Sequence, residues 1–186
     1  TAVTLASKDK KDFENISKLI PNKEFRIYYS NDLIGTQIGG ALKNIYAIAA
    51  GVAEGLNLGE NAKSALISRS FAEMTRYAKK FKADKNTLFG LSGLGDLILT
   101  CGSKNSRNTQ FGIKLASSKY DNFLDLLKSQ EVTEGYYTVK AVYNISQKKN
   151  IDMPIMESVY NILYKQHDLK EELSNLLSRP ITEEKI

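Results

Sequence analysis

The sequence predicts a mainly α-helical protein, in which a compact multi-helix domain follows a single strand–helix–strand unit. Apolar residues recur at helical spacing from about residue 31 to residue 178, with capping residues and turns between the segments. Strand-like alternation of β-branched and aromatic residues is confined to the first 30 residues. A length of 186 residues with 42% hydrophobic content allows one domain with a full core, or one domain plus part of another.

The first 30 residues contain two predicted strands around one predicted helix. Residues 1–6 read Thr-Ala-Val-Thr-Leu-Ala and residues 24–29 read Glu-Phe-Arg-Ile-Tyr-Tyr, and both patterns are typical of strands. Ser7 and Asp9 offer caps for the helix between them. One such unit is too little to stand alone. We therefore expect residues 1–30 to be the end of a larger sheet domain, residues 31–186 to be a helical domain, and the chain to be a fragment.

The stretch from residue 38 to residue 53 is apolar nearly all round, which predicts a buried helix. Its glycines, Gly39, Gly40 and Gly51, each cost about 1 kcal/mol of helix propensity relative to alanine. We therefore expect a neighbouring backbone or a ligand to approach closely there. Lys43 is the one charged residue in the stretch. Burial of a lysine favours the neutral amine and proton exchange near neutral pH, so Lys43 is the leading catalytic candidate. A lysine that extends to solvent along its own stem is the alternative.

Further helices are predicted beyond this stretch. Helical spacing predicts them over residues 61–81, 85–89, 107–117, 121–128, 133–148, 154–166 and 168–178. In the first of these, Arg69, Glu73 and Arg76 are predicted to form a polar face. Residues 90–96, which read Gly-Leu-Ser-Gly-Leu-Gly-Asp, are predicted to form a loop.

Two polar groups are candidates for a binding site. Asp96 ends the glycine-rich segment, where its carboxylate either approaches Lys43 or a ligand, or only caps the following turn. Ser106 is a candidate N-cap that would place Arg107 and Asn108 in the first turn of a helix. Backbone N–H groups and the helix dipole favour an anion there, and the forked guanidinium suits phosphate. A solvent-exposed arginine beside an ordinary cap is the alternative.

Composition and spacing argue against several other functions. The net charge of +5 comes from 26 basic and 21 acidic residues that are interleaved, which does not indicate nucleic-acid binding. The glycine-rich segment matches neither the dinucleotide fingerprint nor a P-loop. Cys101 and His167 are each the single residue of their type and lack metal-site spacing, so no metal is expected. His167 is expected at the surface. A lone cysteine fits a cytoplasmic protein, and we expect no membrane span.

Several motifs together resemble one family. They are Gly39-Gly-Ala-Leu-Lys43-Asn44, Gly59-Glu-Asn-Ala-Lys63, Gly90-Leu-Ser-Gly-Leu-Gly-Asp96-Leu, Thr100-Cys101, Ser106-Arg107-Asn108, Met153-Pro-Ile and Leu177-Ser-Arg-Pro180. Their order and approximate spacing resemble the bacterial type of NAD(P)-dependent glycerol-3-phosphate dehydrogenase over essentially the whole chain. The resemblance implies a helical domain like the C-terminal domain of 6-phosphogluconate dehydrogenase, behind the end of a Rossmann dinucleotide-binding domain.

The resemblance also implies ligands and site residues. Lys43 is implied as the catalytic lysine, which moves the proton of the C2 hydroxyl or carbonyl while hydride passes to or from nicotinamide. Substrate-binding positions are implied at Lys43, Asn44, Asp96, Thr100, Ser106, Arg107 and Asn108, and NAD(P)-binding positions at Arg107, Val132 and Glu134. The implied reaction interconverts sn-glycerol 3-phosphate and dihydroxyacetone phosphate, feeds glycerophospholipid synthesis, and is carried out by a homodimer in the cytoplasm.

Two other interpretations stay open at this point. The helical domain could belong to another NAD(P)-dependent dehydrogenase, acting on a hydroxy acid or a sugar acid. It could also be a non-catalytic helical interaction module, in which Lys43 has no special role. Because most of the cofactor domain is missing from it, we expect the chain by itself to fold without catalysing the reaction.

Overall fold

The computed structural model describes residues 1–20, 23–117 and 133–180. Within these ranges the chain forms two strands, nine α-helices and one π-helical turn. In chain order the elements are β1 (Ala2–Ala6), α1 (Lys10–Lys18), β2 (Arg26–Ser30), α2 (Leu33–Gly55), α3 (Gly59–Lys80), α4 (Lys85–Phe89), the π-helical turn (Leu91–Gly95), α5 (Asp96–Gly102), α6 (Arg107–Ser117), α7 (Glu134–Lys149), α8 (Pro154–Lys165) and α9 (Leu169–Leu177). The predicted fold class is confirmed. The helices predicted over residues 61–81, 85–89, 107–117, 133–148, 154–166 and 168–178 have ends within two residues of the predicted ones, whereas the central helix extends beyond the predicted stretch 38–53 at both ends. The helix predicted over residues 121–128 lies outside the described residues.

The N-terminal unit has the predicted strand–helix–strand form. β1 and β2 pair in parallel along the full length of both strands, and α1 is the crossover between them. Asp9 caps α1, since its carboxylate accepts the Lys11 N–H at 2.9 Å. Phe13 of α1 packs against Tyr29 of β2, with ring centroids 5.3 Å apart. The helix thus covers one face of a two-stranded sheet.

α2 is the central helix of the remaining domain and packs against α3, α5, α6 and α7. Asp32 begins it, because the Asp32 carboxylate accepts the Gly35 N–H at 2.9 Å. Eleven of its 23 residues are buried. From residue 38 to residue 53 the only exposed residue is Ala41. The prediction of a buried helix here is confirmed.

Of the three glycines between residues 38 and 53 of α2, two are positions of close backbone approach. A Cβ atom at Gly39 would overlap the carbonyl group of Ser92 in the π-helical turn. A Cβ atom at Gly51 would overlap the carbonyl oxygen of Thr109 on α6. The expected close approach is confirmed at these two positions. Around Gly40, by contrast, no described atom apart from the adjoining backbone of α2 itself lies within 4 Å of where a Cβ would be.

The glycine-rich segment is wound as a helix, so the loop predicted over residues 90–96 is wrong. The Gly95 N–H donates to the carbonyl of Gly90, five residues earlier, at 3.1 Å, which is the π-helical pattern. Gly93 permits this winding, because a Cβ atom there would overlap the backbone of Leu88. The turn runs directly into α5, and Asp96 is therefore the first residue of a helix.

Glu73 of α3 is buried, so the prediction that it lies on a polar face is wrong. It is 1% exposed. Its carboxylate accepts the backbone N–H of Ile155 at 2.6 Å, the N–H of Met156 at 3.1 Å and the Tyr46 hydroxyl at 3.3 Å. The two backbone donors belong to the first turn of α8, which lacks intrahelical partners for them. Burial raises the pKa of Glu73 to about 7, against the lowering effect of the backbone hydrogen bonds.

Among the residues described, none of the helices combines the length and apolarity that a membrane span requires.

Candidate active site

The centre of the candidate site is an ion pair between α2 and α5. Lys43 Nζ lies 2.5 Å from Asp96 Oδ2, and the two side chains are 23% and 29% exposed. Thr100, one turn further along α5, donates from Oγ1 to the Asp96 carbonyl at 2.6 Å and lies 3.3 Å from the Asp96 carboxylate. Of the two roles that the sequence left open for Asp96, the structure shows the approach to Lys43, and Asp96 makes no side-chain cap at the start of α5.

The start of α6 forms a second part of the site. Ser106 Oγ accepts the Thr109 N–H at 3.3 Å, which confirms Ser106 as the cap. Arg107 and Asn108 occupy the first turn, as predicted. The Arg107 side chain is 61% exposed, and its Nη2 lies 3.7 Å from Glu134 Oε1. A cationic side chain therefore lies at the solvent-exposed edge of the candidate site, which we call the rim, beside the N-terminal backbone of α6.

Two buried asparagines connect α2, α6 and α7. Asn108 Oδ1 accepts the Gly135 N–H at 2.9 Å, and Asn108 Nδ2 donates to Asn44 Oδ1 at 3.1 Å. Asn44 Nδ2 in turn donates to Glu134 Oε2 at 3.0 Å. Both asparagines are 7% exposed, whereas the Glu134 side chain is 62% exposed. A hydrogen-bonded chain thus leads from a helix start, through two buried amides, to a carboxylate at the rim.

The structure brings nearly all of the predicted site residues into two hydrogen-bonded groups, which meet at the consecutive residues Lys43 and Asn44 of α2 and together form the site network. These residues are Lys43, Asn44, Asp96, Thr100, Arg107, Asn108 and Glu134, with Ser106 at the cap of α6. Val132 lies outside the described residues.

Sequence reasoning missed Thr109 and Gly135. Thr109 Oγ1 donates to the Thr100 carbonyl at 2.9 Å and so ties α6 to α5. Nothing in the sequence distinguishes it from an ordinary helical threonine. Gly135 did carry a signal, because a glycine inside the first turn of a predicted helix indicates close approach of another group.

Cys101 and His167 take no part in this network. Cys101 is fully buried, and burial raises the pKa of its thiol to about 12, so the reactive thiolate is disfavoured. His167 is 44% exposed at its side chain, and its Nδ1 lies 2.7 Å from the Glu172 carboxylate. Within residues 1–20, 23–117 and 133–180, no group of three or more His, Cys, Asp or Glu side chains is arranged to hold a metal ion.

An apolar cavity of about 840 Å³ lies elsewhere, between α2, α3, α8 and α9. Leu66, Val159 and Leu173 are among the residues that line it. Neither Lys43 nor Asp96 is among them, so the candidate site is defined by its convergent polar groups and not by this cavity.

The known proteins that this chain resembles in sequence and in structure are all glycerol-3-phosphate dehydrogenases in the comparisons that follow. The family profile described as NAD-dependent glycerol-3-phosphate dehydrogenase C-terminus matches residues 32–174. The glycerol-3-phosphate dehydrogenase (NAD(P)+) of Solidesulfovibrio magneticus is 46% identical over 185 residues, covering 99% of this chain and 56% of the relative. The enzyme of the same name from Staphylococcus haemolyticus is 42% identical over 180 residues, covering 96% of this chain and 54% of the relative. The crystal structure of glycerol-3-phosphate dehydrogenase from Coxiella burnetii has a TM-score of 0.90 at 38% identity, over 96% of this chain and 55% of that one.

The fold and the family match define the helical C-terminal domain of an NAD-dependent dehydrogenase. More narrowly, the chain belongs to the glycerol-3-phosphate dehydrogenase family, so the resemblance noted in the sequence is confirmed. The chain spans about half the length of the curated relatives that it matches.

Proposed function

We propose that this chain provides the substrate-binding and proton-transfer part of an NAD(P)-dependent glycerol-3-phosphate dehydrogenase. The reaction interconverts sn-glycerol 3-phosphate and dihydroxyacetone phosphate. One observation carries the proposal: the Lys43–Asp96 pair lies next to Asn44 on α2, and the Asn44 side chain leads through Glu134 to the exposed cation Arg107. A ketone that carries a phosphate needs both a proton donor at its carbonyl oxygen and a cationic grip on its phosphate.

Lys43 is the residue that moves the proton. In the reducing direction its ammonium donates a proton to the C2 oxygen of dihydroxyacetone phosphate, and in the oxidising direction its amine accepts the proton of the C2 hydroxyl. The nicotinamide, when bound, supplies or accepts the hydride. Asp96, 2.5 Å from Lys43 Nζ, orients the ammonium group and balances its charge. The Thr100 hydroxyl donates to the Asp96 carbonyl at 2.6 Å and so ties Asp96 to the next turn of α5.

Arg107 and the first turn of α6 bind the substrate phosphate, with Ser106 and Asn108 beside it. The Arg107–Glu134 contact is long, at 3.7 Å, and both side chains are more than half exposed. Exposed ion pairs of this kind contribute at most about 1 kcal/mol. A phosphate dianion therefore competes effectively for the guanidinium, which it contacts through two parallel hydrogen bonds.

The residues at the rim also fit NAD(P). Glu134 offers an exposed acceptor and Arg107 an exposed donor, both next to the network that includes Asn44. We propose that these two residues, together with Val132, hold the cofactor against the helical domain.

We propose residues 1–30 as the end of the dinucleotide-binding domain and residues 31–186 as the substrate and dimerisation domain. A two-stranded parallel sheet is too small to be stable alone, and parallel sheets are normally covered on both faces. Leu19 and Tyr28 are 79% and 48% exposed, which is consistent with cover by further elements. The full-length protein is proposed to be a cytoplasmic homodimer that feeds glycerophospholipid synthesis, and the buried free cysteine is consistent with a reducing compartment.

The test is NAD(P)H oxidation by the full-length protein that contains this chain, with and without dihydroxyacetone phosphate. We expect oxidation only when this substrate is present. Arg107→Ala should raise its KM by about 10- to 100-fold, the range expected for hydrogen bonds to a charged group. Arg179→Ala is the control, because it removes an exposed arginine that pairs with Asp152 at 3.1 Å, outside the site network.

An unchanged KM in the Arg107 variant would show that the phosphate grip is wrongly assigned. Faster turnover of an unphosphorylated hydroxy acid or sugar acid would instead favour a different dehydrogenase.

A further inference from the structure

We propose that the apolar cavity between α2, α3, α8 and α9 binds an amphipathic small molecule, namely an unbranched aliphatic chain that ends in one anionic head group. We name it the α3–α9 cavity. Its volume of about 840 Å³ lies within the range of small-molecule pockets in proteins. Neither Lys43 nor Arg107 lines it, so it is separate from the candidate active site. Ligand binding here is measured without turnover and is independent of the function proposed above.

One face of α3 gives the α3–α9 cavity an apolar half and a basic half. Ala62, Ala65 and Leu66 line it near the start of the helix, and Arg69 and Arg76 line it further along. Positions three, four and seven residues apart share one face of a helix. From Ala62 to Arg76 the helix advances by about 21 Å, at 1.5 Å per residue. The two halves thus follow one another along one groove, as do the tail and the head of an extended amphiphile.

The wall opposite α3 is apolar as well. Leu173, Leu176 and Leu177 of α9 line the cavity. α9 packs mainly against α8, and the cavity lies between α9 and α3. Leu177 is 78% exposed, and Leu58, just before α3, is 37% exposed. Apolar surface that stays open to water is unfavourable, and an aliphatic tail between the two walls removes it from water without needing a hydrogen-bonding partner.

The polar end of the α3–α9 cavity carries an excess of positive charge. Arg76 Nε donates to the Asp152 carbonyl at 2.8 Å, and Arg179 Nη2 donates to Asp152 Oδ1 at 3.1 Å. Arg69 makes no hydrogen bond or ion pair with another residue in the described part of the chain. One exposed carboxylate therefore faces three guanidinium groups. The carboxylate or phosphate head of a ligand balances this charge and suits the forked donors of arginine.

The two other carboxylates that line the cavity are buried and have partners within the protein. Glu73 is 1% exposed and accepts the backbone N–H groups at the start of α8. Glu172 is 4% exposed, and its Oε1 lies 2.7 Å from His167 Nδ1. Arg69 is thus the arginine to which an external anion binds without displacing a partner in the protein.

Calorimetric titration of the ligand-free full-length protein with laurate, kept below its micelle concentration, tests the ligand class. We expect one laurate per chain. Laurate should bind more tightly than octanoate, by up to about fourfold for each additional methylene that becomes buried. Dodecyltrimethylammonium, which has the same tail and a cationic head, should not bind. Dodecyl phosphate is titrated in parallel, and the tighter of the two anionic ligands identifies the preferred head group.

Ala65→Trp tests the position of the tail. Ala65 lines the cavity and is exposed, so the larger side chain fills the apolar half without entering the core. We expect the dissociation constant of laurate to rise by about tenfold or more, since the tail loses the apolar surface that it covers. Ser64→Trp is the matched control, because Ser64 is the preceding exposed residue of α3 and does not line the cavity. Melting temperatures of the ligand-free variants verify that both are folded.

Arg69→Gln tests the position of the head. It removes the charge and the forked donor, and we expect the dissociation constant of laurate to rise by about 5- to 10-fold, a modest change because the side chain is exposed. Lys79→Gln is the matched control, because it removes an exposed cation of the same helix that does not line the cavity. Laurate binding should be unchanged in this control.

The proposal is wrong if the wild type binds no laurate, or if dodecyltrimethylammonium binds as tightly as laurate does. It is also wrong if Ala65→Trp binds laurate as tightly as Ser64→Trp. A second copy of the chain that covers the cavity predicts yet another result: laurate binding would weaken as the protein concentration rises, because each ligand would have to separate a dimer. That result would assign the cavity to an interface between two copies.

Discussion

Two helix N-termini in this molecule are held by side chains from other helices, in opposite surroundings. At the start of α7, Asn108 accepts the Gly135 N–H and is linked to α2 through Asn44. At the start of α8, Glu73 accepts two backbone N–H groups and is linked to α2 through Tyr46. In both places an acceptor side chain satisfies helix donors that have no partner within the helix.

The two places differ in their access to solvent. Glu73 and Tyr46 are 1% and 0% exposed, so both side chains are closed off from bulk solvent. Glu134, whose carboxylate accepts a hydrogen bond from Asn44, is 62% exposed at its side chain. The same device thus stabilises the fold at α8, and at α7 it presents polar groups to solvent where we propose ligand binding. We therefore expect substitutions in the exposed candidate site to change the kinetics. Substitutions around the buried Glu73 should change the free energy of unfolding instead.

The largest expected effect is on turnover, and it comes from Lys43 in the candidate site. Lys43→Ala should lower kcat by about 10³-fold, because it removes the proton-transfer group. Steady-state kinetics of the full-length protein with dihydroxyacetone phosphate measures this. Lys63→Ala is the control, because Lys63 also pairs with a carboxylate, Glu54, at 2.8 Å, outside the site network. Normal turnover in the Lys43 variant would favour the non-catalytic interaction module.

The next largest effect is on the free energy of unfolding, which should depend on pH because of the buried Glu73. Burial raises the pKa of Glu73 from the ordinary value of 4.5 to about 7 in the folded protein. Between these two values the folded state holds a proton that the unfolded state has lost. The free energy of unfolding should therefore fall as the pH rises from 4.5 to 7, by on the order of 3 kcal/mol for this residue.

Glu73→Gln isolates this contribution, because the amide does not titrate. Denaturant unfolding at pH 5 and pH 8 should show that the wild type loses more stability than the variant over this interval. Carboxylates such as Glu54, whose pKa is lowered by its hydrogen bond with Lys63, act in the opposite sense at lower pH. Parallel pH profiles for the wild type and the variant would mean that Glu73 is ionised throughout.

The candidate site and the surroundings of Glu73 also differ in how well the sequence predicts them. Lys43 and Arg107 stand out, because one is a charge within an apolar helix and the other follows a capping serine. The contact between Lys43 and Asp96 could not be decided, since a helix cap and an ion pair with a residue 53 positions away use the same carboxylate. Glu73 was wrongly predicted, because helical spacing groups it with Arg76, while its real partners come from α8. Spacing reports a helix face, and only tertiary packing reports what covers that face.

A smaller effect is expected where α2 is closed against α6. Gly51→Ala would drive a methyl group into the carbonyl oxygen of Thr109, a backbone atom that moves only if α6 moves. We expect the free energy of unfolding to fall by about 1–3 kcal/mol, the usual cost of overpacking. Denaturant unfolding of the 186-residue chain measures this. An unchanged free energy of unfolding would mean that α6 shifts easily to accommodate the added methyl group. The contact between α2 and α6 would then be less tight than the structure indicates.

The smallest expected effect comes from Gly40, which lies on the same side of α2 as Gly51, three helical turns nearer to the N-terminus. Nothing described lies within 4 Å of a Cβ atom at Gly40, so an added methyl group meets no obstacle. Gly40→Ala should therefore raise the free energy of unfolding of the chain by about 1 kcal/mol, through helix propensity alone. The opposite signs expected for the two substitutions make each the control for the other. A lower free energy of unfolding in the Gly40 variant would mean that another part of the protein covers this position. The expected contrast between the uncovered Gly40 and the tightly packed Gly51 would then be wrong.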